Sequence, residues 1–172
     1  GRAEIRTTRS PVIRIISTGD ELVPAGQPIA AHQVRQSNGP AIVAMLASHG
    51  YCDTQHDHLV DERSVLEERL AAHIEAADVI VLSGGVSMGK ADYVPEVLAK
   101  LGVEIVFHKV SQRPGKPMWF GMAPGGKAVF ALPGNPVSAL TCCRQYVIPA
   151  LDRASGMTAS VPEFASLAGD VR

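Results

Sequence analysis

The run Asp78-Val79-Ile80-Val81-Leu82, broken off at once by Ser83-Gly84-Gly85, restricts this chain more than any other stretch. After its leading acid, a short apolar run rich in β-branched residues and bounded by glycine predicts a strand buried on both faces and ended by a tight turn. A helix over about Asp92 to Leu101 follows it. Val12-Ile13-Arg14-Ile15-Ile16, halted by Ser17-Thr18-Gly19, repeats the pattern. After it, in the helix read from Ser37 to Ser48, Ile42, Met45 and Leu46 fall at helical spacing with His49 just beyond, and Gly50 supplies the stop. Tyr51 to Val60 alternates weakly as a further strand. Leu66, Leu70, Ile74 and Ala77 then line one face of a helix whose other face carries Glu67, Arg69 and His73. Val103–Val110, Pro117–Met122 and Lys127–Leu132 read as strands, the last leading into a helix near Pro136. Alternating strands and helices imply parallel strands with helices on both faces and right-handed crossovers. The Val103–Met122 pair has no helix between its strands, so one strand there is expected to be antiparallel. The fold class predicted is α/β with a mostly parallel, mixed sheet.

The 172 residues suffice for one domain with a sizeable core. A net charge of −1, without a block of like charges, argues against a nucleic-acid surface. No apolar run approaches the ~18 residues needed to span a membrane. Cys52, Cys142 and Cys143 form neither a disulfide framework nor a C-x-x-C site, which suggests a reducing, cytoplasmic compartment. The chain starts at Gly1, and 158–172 shows little periodicity. Residues 1–157 are therefore expected to form the domain and 158–172 a linker, the whole being a fragment of a longer protein.

In an open parallel sheet, ligands bind beyond the carboxyl ends of the strands. Four loops lie there: Ser17–Glu21, Val60–Glu62, Ser83–Asp92 and Leu132–Pro136. Three bring acids to one rim, and clustered carboxylates repel unless a divalent cation or a proton offsets them. Arg113-Pro114-Gly115-Lys116-Pro117 adds two cations held between prolines. Acids, fixed cations and glycine turns together suit a phosphate-bearing substrate with bound Mg²⁺. Each feature also has an ordinary reading. Gly84-Gly85 can be a simple turn, Asp61 and Asp92 helix caps, and Glu21 a solvated acid. Arg113 and Lys116 can be solvated charges, and Pro133 to Pro136 a rigid joint. The coincidence of the loops carries the weight. His56 and His58 read as surface residues of a half-exposed strand, and Cys143, on a stripe with Leu140 and Val147, as core.

Ser17-Thr18-Gly19-Asp20-Glu21-Leu22, Ser83-Gly84-Gly85-Val86-Ser87-Met88-Gly89 with Asp92-Tyr93, Arg113-Pro114-Gly115-Lys116-Pro117 and Leu132-Pro133-Gly134-Asn135-Pro136 resemble, in order and spacing, the motifs of the molybdopterin molybdenumtransferases. That family includes the E domain of gephyrin, and the resemblance covers about Pro11 to Met157. It implies a three-layer α/β/α sandwich shared with the molybdopterin adenylyltransferases. In the family this domain follows N-terminal domains and precedes a small β-barrel. The reaction implied is Mg²⁺-dependent insertion of molybdenum from molybdate into adenylylated molybdopterin, with release of AMP.

On matching positions the resemblance implies catalytic roles for Glu21, Asp61 and Asp92, with Asp61 and Asp92 on the metal. Thr18, Gly19, Asp20, Ser83, Gly84, Gly85 and Ser87, with Pro133, Gly134, Asn135 and Pro136, are implied to bind substrate. Arg113 and Lys116 are implied to hold molybdate. Two positions depart from the family pattern. Arg113 stands where the family usually has Lys, keeping charge but changing hydrogen-bond geometry. Asp61-Glu62-Arg63 stands where two aspartates usually precede a proline. The resemblance further implies an upstream adenylyltransferase as partner and a homodimer in the longer protein. Family acids drawn from the N-terminal domains, partly across that dimer, lead us to expect little turnover by the fragment alone. An adenylyltransferase on the same fold and a peptide-binding scaffold are the alternatives.

Overall fold

The β-branched runs become the centre of a six-stranded sheet in a computed structural model that describes residues 3–5, 7–85, 93–157, 166, 168 and 169. Its strands are β1 (Ile13–Thr18), β4 (Thr54–Leu59), β5 (Val79–Ser83), β6 (Glu104–His108), β7 (Trp119–Ala123) and β8 (Lys127–Leu132). They lie in the order β4-β1-β5-β8-β7-β6. β4, β1, β5 and β8 are mutually parallel, and β7 runs antiparallel to both neighbours, as the missing helix predicted.

Side chains alternate across the sheet with period two, and each face builds its own core. Ile16, Ile80 and Leu82 pack with Leu66, Leu70, Val97 and Leu98 from α2 (Arg63–Ala76) and α3 (Val94–Lys100). Ile13, Ile15, Val79, Val81 and Phe130 pack on the other face. Their partners there include Ile42 and Leu46 of α1 (Asn38–Ser48), Ala139 of α4 (Pro136–Cys142) and Ile148 of α5 (Ile148–Ala154). The result is the three-layer α/β/α sandwich. Every residue of β5 is buried, as its uniform apolar run requires.

Three local features differ from the expectation. Glu62, not Asp61, occupies the cap position of α2, which leaves the Asp61 carboxyl free of that duty. Two-residue strands β2 (Leu22–Val23) and β3 (Val34–Arg35) pair in parallel and pinch off the exposed excursion 24–33. A π turn, Cys143–Val147, joins α4 to α5. Pro149 accounts for that turn: it has no N–H for the Gln145 carbonyl, and its ring would crowd that oxygen in a regular helix. Cys143 is fully buried, as read. Among the described residues no helix is long and apolar enough to cross a membrane.

Candidate functional site

The carboxyl ends of β1, β5 and β8 carry the loops that build the site. Ser17 and Thr18 close β1 and are both buried, as is Ser83 at the end of β5. Gly84 has φ +95°, and a Cβ there would lie 2.6 Å from the Thr18 carbonyl oxygen. The loops after β1 and β5 touch only because that side chain is missing. The Gly84 N–H donates to the Leu132 carbonyl at 3.4 Å, and a Cβ on Gly134 would lie 3.8 Å from the Gly84 Cα. The three loops therefore stand edge to edge.

Between these loops and the first turn of α1 lies a cavity of about 250 Å³. Of the predicted substrate residues, Thr18, Ser83, Gly84, Gly134 and Pro136 line it, together with Glu21. Asp20, Gly19, Gly85, Pro133 and Asn135 do not. Asn135 has another task, because its side-chain oxygen accepts from the Ser138 N–H at 3.1 Å and caps α4. Pro133 is buried beneath the loop. Ser87 and Asp92 lie outside the described residues. Two polar atoms of the cavity lining, Thr18 Oγ1 and Gln36 Nε2, are buried without a hydrogen-bond partner among the described residues. Buried polar atoms are nearly always paired, so this pair marks where a ligand's polar groups would be welcome.

Two groups of residues escaped the sequence reading. Asn38, at the head of α1, donates from Nδ2 to Ser83 Oγ and to the Gly134 carbonyl, both at 2.8 Å. Its signal was an amide in the first turn of a helix that faces the strand ends. His56 and His58 are half-buried rather than plain surface residues, because α1 packs over that face of β4. The His56 ring presses on Gly39, where any Cβ would overlap it, and its Nε2 lies 2.9 Å from Ser17 Oγ. Burial lowers its pKa, with Asp57 opposing and His58 adding to the effect. His58 Nε2 donates to the Gly19 carbonyl at 2.8 Å. The two rings thus brace the loop after β1 from beneath.

The acids of the rim do come together in part. The Asp61 N–H donates to Asp20 Oδ1 at 3.0 Å, and the Glu21 carboxylate folds back over Gly19. Burial raises the Asp61 pKa, and the negative charges of Asp20 and Glu21 raise it further. That is the signature of uncompensated charge. Among the described residues, however, no three His, Cys, Asp or Glu side chains converge to hold a metal ion.

Arg113 and Lys116 sit elsewhere on the rim. They line a separate, shallow recess of about 460 Å³ with Lys109 and Gln112, and both are exposed. The loop is firmly anchored. Val110 N–H donates to the Lys116 carbonyl at 2.9 Å, and Tyr146 Oη donates to Gln112 Oε1 at 2.7 Å. Lys109, a third cation missed in the sequence, adopts φ +71°, an uncommon conformation for a side-chain-bearing residue. The recess can hold an oxyanion by charge and the cavity a neutral or phosphorylated ring system by shape.

Comparison with known proteins agrees with this geometry. The model of a family described as a probable molybdopterin binding domain matches residues 14–153. A Synechocystis protein named molybdopterin molybdenumtransferase is 42% identical over 149 residues, 86% of this chain and 38% of that protein. One of the same name from Staphylococcus epidermidis is 35% identical over 168 residues, 95% of this chain and 39% of that protein. This chain thus spans about two fifths of the length of the curated relatives it matches. Among solved structures, a molybdopterin biosynthesis MoeA protein from Pyrococcus horikosii has a TM-score of 0.73 at 34% identity, covering 86% of this chain and 36% of that one. The Mog protein of Mycobacterium ulcerans shares the fold, with a TM-score of 0.59 at 24% identity over 82% of this chain and 97% of that one. With the family model matched across the sheet and all the described loops of the site, the chain belongs to the molybdopterin-binding domain family of molybdenum cofactor biosynthesis.

Proposed function

We propose that this domain binds adenylylated molybdopterin in the cavity between the β1, β5 and β8 loops. Within a longer molybdopterin molybdenumtransferase it would serve the insertion of molybdenum from molybdate, with release of AMP. One observation carries the reading: a cavity with two buried polar atoms that find no partner among the described residues lies at the same carboxyl edge of the sheet as a three-cation recess. The cavity residues bind and orient the organic substrate. Lys109, Arg113 and Lys116 hold the tetrahedral oxyanion, and the arginine offers a planar fork where lysine offers a point charge.

Mg²⁺ would neutralise the phosphoanhydride and improve AMP as a leaving group. The described acids fit a cation in charge, given the raised pKa of Asp61. Their geometry supplies no complete ligand set. Asp61, with Asp92, is the ligand pair we assign on this chain. The free thiols fit a cytoplasmic setting, an adenylyltransferase supplies the substrate, and the longer protein works as a homodimer.

The test is a calorimetric titration of the 172-residue chain with adenylylated molybdopterin, with and without Mg²⁺ and molybdate. Saturable binding that AMP or molybdopterin competes away supports the reading. Absence of binding by this chain and by the longer protein overturns it. In the longer protein, Lys116→Ala should raise the molybdate concentration needed for insertion many-fold and leave pterin affinity nearly unchanged.

A further inference from the structure

We propose that Asn38 is the positioning residue of the cavity, a clamp whose two amide hydrogens set the distance between the β5 and β8 loops. The inference rests on the reading of the cavity as the molybdopterin site. Its observation is independent of that reading. Asn38 Nδ2 carries two donors, and both are used: one reaches Ser83 Oγ, the other the Gly134 carbonyl, each at 2.8 Å. The acceptors are 45 and 96 residues away in sequence, on different strands' loops. All three residues line the cavity, so the clamp is part of its wall.

The position of the clamp is itself fixed. Ser83 Oγ belongs to a buried strand end paired with β1 on one side and β8 on the other. Helix α1 cannot slide away, because Gly39 beside Asn38 is wedged against the His56 ring and Ile42 and Leu46 are fully buried. The Gly134 loop is the exposed partner, joined to the end of β5 by the hydrogen bond from the Gly84 N–H to the Leu132 carbonyl and by the close approach of the two glycines. Asn38 therefore holds the exposed jaw against the rigid one. Neither aspartate nor alanine can do this. A carboxylate has no donor and would face the Gly134 carbonyl oxygen, and alanine leaves both acceptors unmet.

The experiment measures adenylylated molybdopterin affinity for wild type, Asn38→Ala, Asn38→Asp, Ser83→Ala and the Asn38→Ala/Ser83→Ala double variant. Melting curves and ¹H–¹⁵N spectra are recorded for each. Two hydrogen bonds to a binding wall predict that Asn38→Ala weakens affinity by about 10-fold to 100-fold. Asn38→Asp should weaken it more. The double variant should lose clearly less than the product of the single losses, because Ser83 acts through Asn38. A residue with only a structural role would lower the melting temperature without changing the affinity of the folded protein. Wild-type affinity in Asn38→Ala, or fully multiplicative losses, overturns the clamp. Should Asn38→Ala not fold, Ser83→Ala, which deletes one acceptor, carries the same comparison against Asn38→Asp. If the wild-type protein binds no such ligand, the functional reading fails, and the spectra alone judge the clamp. Displaced Gly84 and Gly134 cross-peaks in the Asn38 variants support it, and unmoved ones overturn it.

Discussion

Gly84→Ala puts the packing of the three loops to a direct test. The new Cβ would sit 2.6 Å from the Thr18 carbonyl oxygen and 3.2 Å from Thr18 Oγ1, at a φ of +95°. Thr18 cannot withdraw, since it ends a strand held by β4 on one side and β5 on the other. A left-handed backbone costs an alanine about 1–2 kcal/mol, and crowding of this kind about 1–3 kcal/mol. Together, roughly 2–5 kcal/mol would be lost from a domain expected to have about 5–15 kcal/mol in all. For a chain of this length that is a fall of roughly 4–20 °C in melting temperature. Gly26→Ala is the control, because Gly26 has φ +86° but meets nothing within 4 Å. It bears the backbone cost alone. Thermal melts of the two variants beside wild type, with ligand titration of whatever remains folded, separate the two costs. If Gly84→Ala melts with Gly26→Ala, the contact between the β1 and β5 loops is not the constraint argued here.

Three further outcomes are expected. Arg9 pairs with Asp78 through both its nitrogens, at 2.6 and 2.5 Å, and holds that carboxyl down to about 2. The stability it brings is present above an unfolded-state value of about 3.9 and is lost as pH falls toward about 2, so acid melts of Asp78→Asn should be flatter than wild type over that window. Burial pushes the Cys143 thiol up to about 12, and Cys142 is likewise buried and raised, whereas Cys52 is exposed. A thiol reagent should therefore label Cys52 alone in the native protein, and fast labelling of a second thiol would contradict the packing of α4. Gly115→Ala, whose Cβ would lie 2.6 Å from Cys142 Sγ, should lower the melting temperature, and Cys142→Ala should recover part of that loss. Strict additivity of the two changes would show that they do not meet.

The sheet was legible because its signal is local. Apolar runs such as Val79–Leu82 and Ala128–Leu132 need no partner to announce a buried strand, and the missing helix between β6 and β7 announces the antiparallel step. What stayed hidden depends on long-range pairing. β2 and β3 are two residues each and exist only because the excursion 24–33 returns to meet its own start. Asn38 offered no more than an amide at the head of a helix, since both its partners lie on loops that only the fold brings to it. The half-exposure of His56 and His58 was legible from the weak alternation along β4, but their contacts were not, since the close approach of α1 to His56 depends on a glycine at position 39. Asn135 was legible as part of a loop motif, but its side chain is spent on capping α4.

The two halves of the site are joined through one helical segment, which gives the separation of cavity and cation recess a mechanical meaning. α4 begins at the loop that lines the cavity with Gly134 and Pro136. Its far end, continued by the π turn, carries Cys142 and Tyr146 beneath the cation loop, where they contact Gly115 and Gln112. Ala139, Cys142, Cys143 and Val147 are fully buried, so one face of the segment is packed along its length. A displacement of the Pro133–Pro136 loop on ligand binding would therefore be carried to the backbone that sets Arg113 and Lys116. Under the proposed function the cavity and the recess take separate ligands and share this one helical segment, which is the arrangement needed if oxyanion capture is to follow occupation of the cavity. The coupling is reciprocal in any such pair, so an oxyanion held by the cations should tighten the cavity's ligand by the factor that the ligand tightens the oxyanion.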